Sequence, residues 1–154
     1  MGNYPMKIKI VWSKKPVGRD TRNFLDFTYA RGNLSKAVEV LVSAYGDVRQ
    51  RVAIAWGELG MLKATDFPPQ LRKDWDWIVA QSTRYGPRRN ADGTIGESSV
   101  GQTMRRIRCT TASKIAKKIW LLYGEMNHFL SCLDAAGDRG GGSVSKNVSK
   151  RRPL

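Results

Sequence analysis

The chain has 154 residues, 41% of them hydrophobic, which is enough for one domain with a single hydrophobic core. Its apolar stretches are far shorter than the roughly 20 residues of a membrane-spanning helix, and its first residues do not resemble a secretory signal. We therefore expect a cytoplasmic protein without a membrane partner. The 27 Lys and Arg residues against 13 Asp and Glu give a net charge of +14, which favours an anionic partner.

The excess positive charge is segregated along the chain. Residues 98–120 contain six basic and no acidic side chains, and residues 1–36 and 139–154 are also strongly basic, whereas residues 37–97 are neutral overall. Segregation of this kind is typical of a surface with a directed electrostatic field rather than of general solubility.

The N-terminal 32 residues contain two apolar alternations of period two, a pattern that indicates strands. The alternating residues are Ile8, Ile10 and Trp12, followed by Leu25, Phe27 and Tyr29. A Lys-Lys-Pro run and a glycine separate the two groups. The sequence therefore predicts a basic arm or a small hairpin over residues 1–32, and the choice between them stays open.

Helical periodicity begins after residue 32. The first predicted helical face consists of Leu34, Ala37, Val38, Leu41, Val42 and Tyr45. Asn33 is expected to cap this helix and Gly46 to end it. Asp47, with Gln50 three residues later, predicts a capping box at the start of a second helix. The stripe of the second helix consists of Val48, Val52, Ala55, Leu59 and Leu62.

Three further helices are predicted from the same periodicity. The third has a face of Leu71, Trp75, Ile78 and Val79 and stops before Gly86-Pro87. Residues 86–98 are expected to form a loop with a turn at residues 90–93, and Ser99 with Gln102 is expected to cap a short fourth helix. The last helix has the most sustained seam, which consists of Ile115, Ile119, Leu122, Met126, Phe129 and Leu133.

These elements predict a mainly α protein, built as a compact bundle-like domain of about five helices with short connections. The helical domain is expected to cover residues 33–137. Residues 138–154 are rich in Gly, Ser, Lys and Arg and have no periodic apolar face, so we expect a flexible tail there.

The residues that usually carry catalysis form no recognisable constellation. His128 is the single histidine of the chain and has no distinctive serine context, so a Ser–His–Asp triad has no support. Cys109 follows three arginines, which can activate a thiol, but no base accompanies it. Cys109 and Cys132 are expected to be small, reduced core residues. We expect no metal and no cofactor.

The basic residues give the stronger functional signal. The candidate phosphate contacts are Arg105, Arg106, Arg108, Lys114, Lys117 and Lys118, with Arg84, Arg88 and Arg89 as a second cluster around the loop. The three lysines lie at i, i+3 and i+4, on the side of the last helix away from its seam. Trp77 and Trp120 lie off the apolar stripes, so either indole can stack on a base or contact a protein.

These features predict a non-enzymatic nucleic-acid-binding or nucleoprotein-accessory module that contacts mainly the phosphate backbone of DNA or RNA. Charge alone leaves open a second class, a small protein-interaction module or inhibitor that binds an acidic or nucleic-acid-handling partner protein. The third alternative is an enzyme that uses Cys109 or scattered carboxylates, for which the candidates are Glu39, Glu58, Asp66 and Glu97.

Overall fold

The computed structural model describes residues 21–138, with side chains over residues 24–136. This part of the chain has five helices and a two-stranded antiparallel hairpin, which confirms the predicted fold class. The elements are α1 (Thr21–Ser43), α2 (Val48–Leu59), a 3-10 helix (Ala64–Asp66), α3 (Arg72–Ser82), β1 (Arg88–Arg89), β2 (Ile95–Glu97), α4 (Ser99–Arg106) and α5 (Cys109–Asp138). None of the helices over residues 21–138 has both the length and the hydropathy that crossing a bilayer needs.

Helix α1 begins at Thr21, well before the predicted start at Asn33. The strand interpretation of residues 25–29 is therefore wrong. Phe27 is buried, whereas Leu25 and Tyr29 are 64% and 55% exposed, because a helix turns these three side chains to different sides. The buried face of α1 is Phe27, Ala30, Leu34 and Ala37. The predicted alternation at residues 8–12 lies outside the described residues, as does the predicted tail beyond residue 138.

Asn33 is an internal residue of α1 rather than its cap. Its side-chain Nδ2 donates to the Tyr29 carbonyl, 3.1 Å away and one turn earlier. Helix α1 instead ends close to the predicted Gly46, which has φ +95°, in the left-handed region that favours glycine.

The start of α2 follows the predicted capping box. Asp47 Oδ1 accepts the backbone N–H groups of Arg49 (2.9 Å) and Gln50 (3.1 Å), and the Gln50 side chain accepts the Asp47 N–H at 3.0 Å. The guanidinium of Arg49 and the capping N–H groups lower the pKa of Asp47.

Helix α5 packs against α1, α2 and α3 and carries the predicted seam into the core. Its buried side chains include Ile115, Ile119, Leu122, Met126 and Phe129, whereas Leu133 is half-buried at the edge. On the side of α3, the ring of Trp75 stacks with Trp56 (centroids 6.2 Å apart) and with Phe67 (4.8 Å). The seam prediction is confirmed, and α5 packs against three of the other four helices of the described residues.

The loop predicted for residues 86–98 contains the hairpin, whose strands pair Arg88 with Glu97. Its turn is the predicted one, because the Asn90 N–H donates to the Thr94 carbonyl at 2.8 Å and Gly93 has φ +83°. The cap of α4 is Ser98, not the predicted Ser99: Ser98 is extended, and its hydroxyl accepts the Gly101 N–H at 3.1 Å.

Thr103 joins the start of the hairpin segment to α4. This buried threonine accepts the Tyr85 N–H at 3.1 Å, and its hydroxyl lies 2.7 Å from the Ser99 carbonyl. The Thr103 hydroxyl is therefore one of the contacts that join the hairpin segment to α4.

The prediction of core cysteines is wrong, because both thiols are exposed. Cys109 is the first residue of α5, before the helix reaches the core. Cys132 lies one turn after His128 on the outer side of the same helix, with its sulphur 3.7 Å from His128 Nε2.

Candidate nucleic-acid interface

A groove between α3 and α5 gathers lysines from both helices. It has a volume of about 370 Å³ and is lined by Lys73, Asp74, Trp77, Lys114, Lys117, Lys118 and Leu121, and we call it the lysine groove. The α5 residues share one side of that helix at i, i+3, i+4 and i+7, and the α3 residues lie within one turn. The groove therefore follows from packing two amphipathic helices side by side through their buried faces.

One lysine of the groove is already neutralised. Lys118 Nζ lies 2.7 Å from Asp74 Oδ1, and about a third of each side chain is exposed. Burial raises the pKa of nearby Glu125, the Asp74 carboxylate raises it further, and the Lys118 ammonium partly opposes both effects. Lys73, Lys114 and Lys117 are exposed and make no ion pair within the described residues, so they are the available cations of the groove.

The two tryptophans proposed as stacking residues lie in different surroundings. Trp77 is 40% exposed and lines the lysine groove. Trp120 is 58% exposed but does not line it. The structure therefore brings Trp77, and not Trp120, together with the predicted lysines in one groove.

The predicted arginines collect at the hairpin and α4, and we call this set the arginine end. It consists of Arg84, Arg88, Arg89, Arg105, Arg106 and Arg108, all exposed. Residues 83–112 contain these six arginines and no lysine. Arg106 lies over the Tyr85 ring, 5.1 Å from its centroid, and Arg89 donates to the Gly93 carbonyl at 3.1 Å.

A polar cleft of about 400 Å³ opens at the arginine end, lined by Arg88, Asn90, Gly96, Glu97 and Arg105. Glu97 Oε2 accepts from Gln102 Nε2 at 2.7 Å and from Arg105 at 2.9 Å. Gln102 thus bonds to Glu97 instead of completing the predicted cap. Glu97 fixes the Arg105 guanidinium and neutralises part of the charge of this end.

Three of the four carboxylates considered for the enzyme alternative have separate local partners. Glu58 lies 3.9 Å from Lys36, Asp66 accepts the Lys63 N–H at 2.8 Å, and Glu97 is paired with Arg105. Over the described part of the chain, no three His, Cys, Asp or Glu side chains are grouped so as to hold a metal ion.

Cys109 has a different basic neighbour from the arginines that precede it in sequence. The pKa of Arg49 is raised, first by its hydrogen bond and ion pair with Asp47 and then by the sulphur of Cys109. The Arg49 guanidinium also pairs with the Asp47 carboxylate at 2.7 Å, so the basic neighbour of Cys109 is itself part of an ion pair.

Sequence reasoning missed several residues of these sites, among them Lys73 and Asp74 in the lysine groove and Tyr85 at the arginine end. Lys73 and Asp74 lie in the neutral part of the chain, where nothing in the local pattern marks them. Their role comes from the packing of α3 beside α5, which is a long-range contact.

Comparisons with known proteins found no family model, no curated protein and no solved structure that matches this chain.

Proposed function

We propose that this protein is a non-enzymatic nucleic-acid-binding module that contacts mainly the phosphate backbone. Its contact surface consists of the lysine groove and the arginine end. Ammonium groups act as point charges toward phosphate, and guanidinium groups can bind two phosphate oxygens at once.

The proposal rests on the state of the predicted basic residues in the folded chain. Of the nine, only Arg105 and Lys118 form an ion pair with a carboxylate of the described residues, and all except Lys118 are exposed. A protein surface normally intersperses both signs of charge. Cations without carboxylate partners are available to neutralise phosphates and to release their counterions, which is the main source of backbone affinity.

The two clusters are close enough to contact one nucleic acid. Arg108 directly precedes α5, and Lys114 lies six residues further along it, a distance of about 9 Å at the rise of an α-helix. Phosphates of one strand follow each other every 3.4 Å or so along duplex DNA, so the axial separation of Arg108 and Lys114 is comparable to the rise of about three nucleotides.

A second candidate function is binding to an acidic protein partner. The observation in its favour is Trp120, which is 58% exposed outside the lysine groove. Exposed tryptophans are enriched in protein interfaces.

The test is the salt dependence of binding to a fluorescent duplex DNA. Replacing Arg108, Lys114 and Lys117 with Ala removes three exposed cations, so the log–log slope of affinity against salt should flatten by about 2 to 3 units. The control replaces Arg31, Lys36 and Lys63 with Ala, which removes the same formal charge from exposed residues outside both clusters, although Lys36 lies 3.9 Å from the Glu58 carboxylate.

The proposal requires the first triple variant to bind much more weakly than the control. Equal losses in the two variants would mean that only net charge matters, and would contradict a defined contact surface. Unchanged binding in the first variant, or wild-type protein that binds acidic polypeptide but no nucleic acid, would overturn the function in favour of the protein-interaction alternative.

A further inference from the structure

We propose that the lysine groove binds a single nucleic-acid strand, with one base stacked on Trp77 and the flanking phosphates on Lys73, Lys114 and Lys117. This inference rests on the proposed function and specifies its ligand at the same site.

The lysine groove also has apolar side chains in its lining. Trp77 and Leu121 line the groove, with Lys73 approaching from α3 and Lys114 and Lys117 from α5. A phosphate backbone needs only the cations. An indole in the same groove as the cations instead fits a ligand that combines negative charge with an exposed planar face, as each nucleotide of a single strand does.

A duplex does not present this combination. Its base faces are stacked inside the helix, so an indole held in a protein groove meets only phosphates, sugars and base edges. Sequence-tolerant proteins that bind single strands combine a basic groove with aromatic side chains on which bases stack. The lysine groove has the same two components, an aromatic side chain (Trp77) and three available ammonium groups.

The charges of the groove also define where the phosphates bind. The Asp74 carboxylate pairs with the Lys118 ammonium at 2.7 Å. The cations of the groove that remain available to phosphates are therefore Lys73, Lys114 and Lys117. A backbone seated on those three lysines leaves its bases free to turn toward Trp77.

The chain supplies its own control for the stacking step. Trp120 is more exposed than Trp77 and belongs to the same helix as three of the groove lysines, but it does not line the groove. If any exposed indole sufficed, Trp120 would contribute as much as Trp77.

The experiment compares binding to a single-stranded oligonucleotide of about 12 nucleotides with binding to the same oligonucleotide annealed to its complement. Full-length protein is used, with the variants Trp77→Ala, Trp77→Phe and Trp120→Ala, and melting curves verify that each folds. Trp77→Ala should weaken single-strand binding by about 5- to 150-fold, the range of base–aromatic stacking, and change duplex binding by less than about twofold. Trp77→Phe should retain most of the affinity, and Trp120→Ala should bind like wild type.

The outcomes separate this inference from the proposed function. If Trp77→Ala and Trp77→Phe both bind the single strand as wild type does, while the Arg108, Lys114 and Lys117 variant loses affinity, stacking is overturned and backbone binding stands. Loss of duplex and single-strand affinity to the same degree in Trp77→Ala would also overturn stacking. If poly-glutamate competes as well as the oligonucleotide and depends equally on Trp77, the groove binds acidic protein and both proposals fail.

Discussion

The arginine end and the lysine groove carry similar charge but hold it in different ways. Three of the six arginines have local partners, with Arg105 on Glu97, Arg106 over Tyr85 and Arg89 on the Gly93 carbonyl. In the groove, Lys118 alone has a carboxylate partner within the described residues. Those three arginines are oriented by contacts with neighbouring side chains and a loop carbonyl, whereas the available lysines are placed by the helices that carry them. A cationic surface can therefore be pre-organised by contacts of its side chains or by the packing of the helices that carry them.

The largest effect should come from removing the support that the lysine groove receives from α5. Ile119 is fully buried, and Ile119→Ala should lower the free energy of unfolding by about 2–5 kcal/mol through lost burial and a cavity. Lys117→Ala, an exposed change on the same helix, is the control and should stay within about 0.5 kcal/mol. Urea denaturation measures both, and a mild effect of Ile119→Ala would mean that the seam is not tightly packed.

A change confined to the arginine end should be smaller. Thr103→Val keeps the shape of the side chain but removes the acceptor of the Tyr85 N–H, which should cost about 1–3 kcal/mol. Amide exchange should rise at Tyr85 and in the hairpin, while single-strand binding at Trp77 should remain. The exposed Thr110→Val serves as the control. If Thr103→Val weakened single-strand binding as much as it weakened duplex binding, the arginine end and the lysine groove would not be independent contact regions.

Exchanging the two kinds of cation at constant charge tests whether their chemistry matters. Arg105→Lys combined with Arg106→Lys should weaken duplex binding by about two- to fivefold, because an ammonium cannot reproduce the planar contacts of the guanidinium. Lys114→Arg combined with Lys117→Arg should leave duplex binding nearly unchanged. If the two exchanges behave alike in binding assays, the regions differ in position only.

The smallest effect concerns the pH response near the groove. The pKa of Glu125 is raised in the folded protein, so its charge destabilises the fold above that raised pKa and has no effect below the ordinary range of a glutamate. Glu125→Gln should therefore raise the melting temperature at neutral pH and leave it unchanged at acidic pH. A lowered melting temperature at neutral pH would show that the Glu125 charge is stabilising instead.

The parts of the fold that were predictable are those fixed by local pattern. The α5 seam persists over many turns, and the Asp47–Gln50 box is a signature within four consecutive residues, so neither pattern depends on distant contacts. Residues 25–29 fit a strand and a helix equally well over so short a window, and only burial of Phe27 in the core decides between them.

The candidate site was predictable to a similar extent. The lysines of α5 and the arginines of α4 were visible as charge without acidic neighbours, because residues 98–120 contain no Asp or Glu. The sequence could not show which helix packs beside α5, so it gave no reason to choose Trp77 over Trp120 or to include Lys73. The choice between Ser98 and Ser99 depends on which serine becomes extended, and adjacent identical residues offer no local signal.

The exposure of the hairpin bears on which sequence changes the fold can accept. Every residue from 86 to 96 is exposed, so this segment adds no side chain to the core. Insertions, deletions or substitutions there meet few packing constraints, as long as Thr103 still holds Tyr85. The hairpin is therefore an exchangeable element: its length and its cations can diversify between related chains while the five-helix scaffold stays the same.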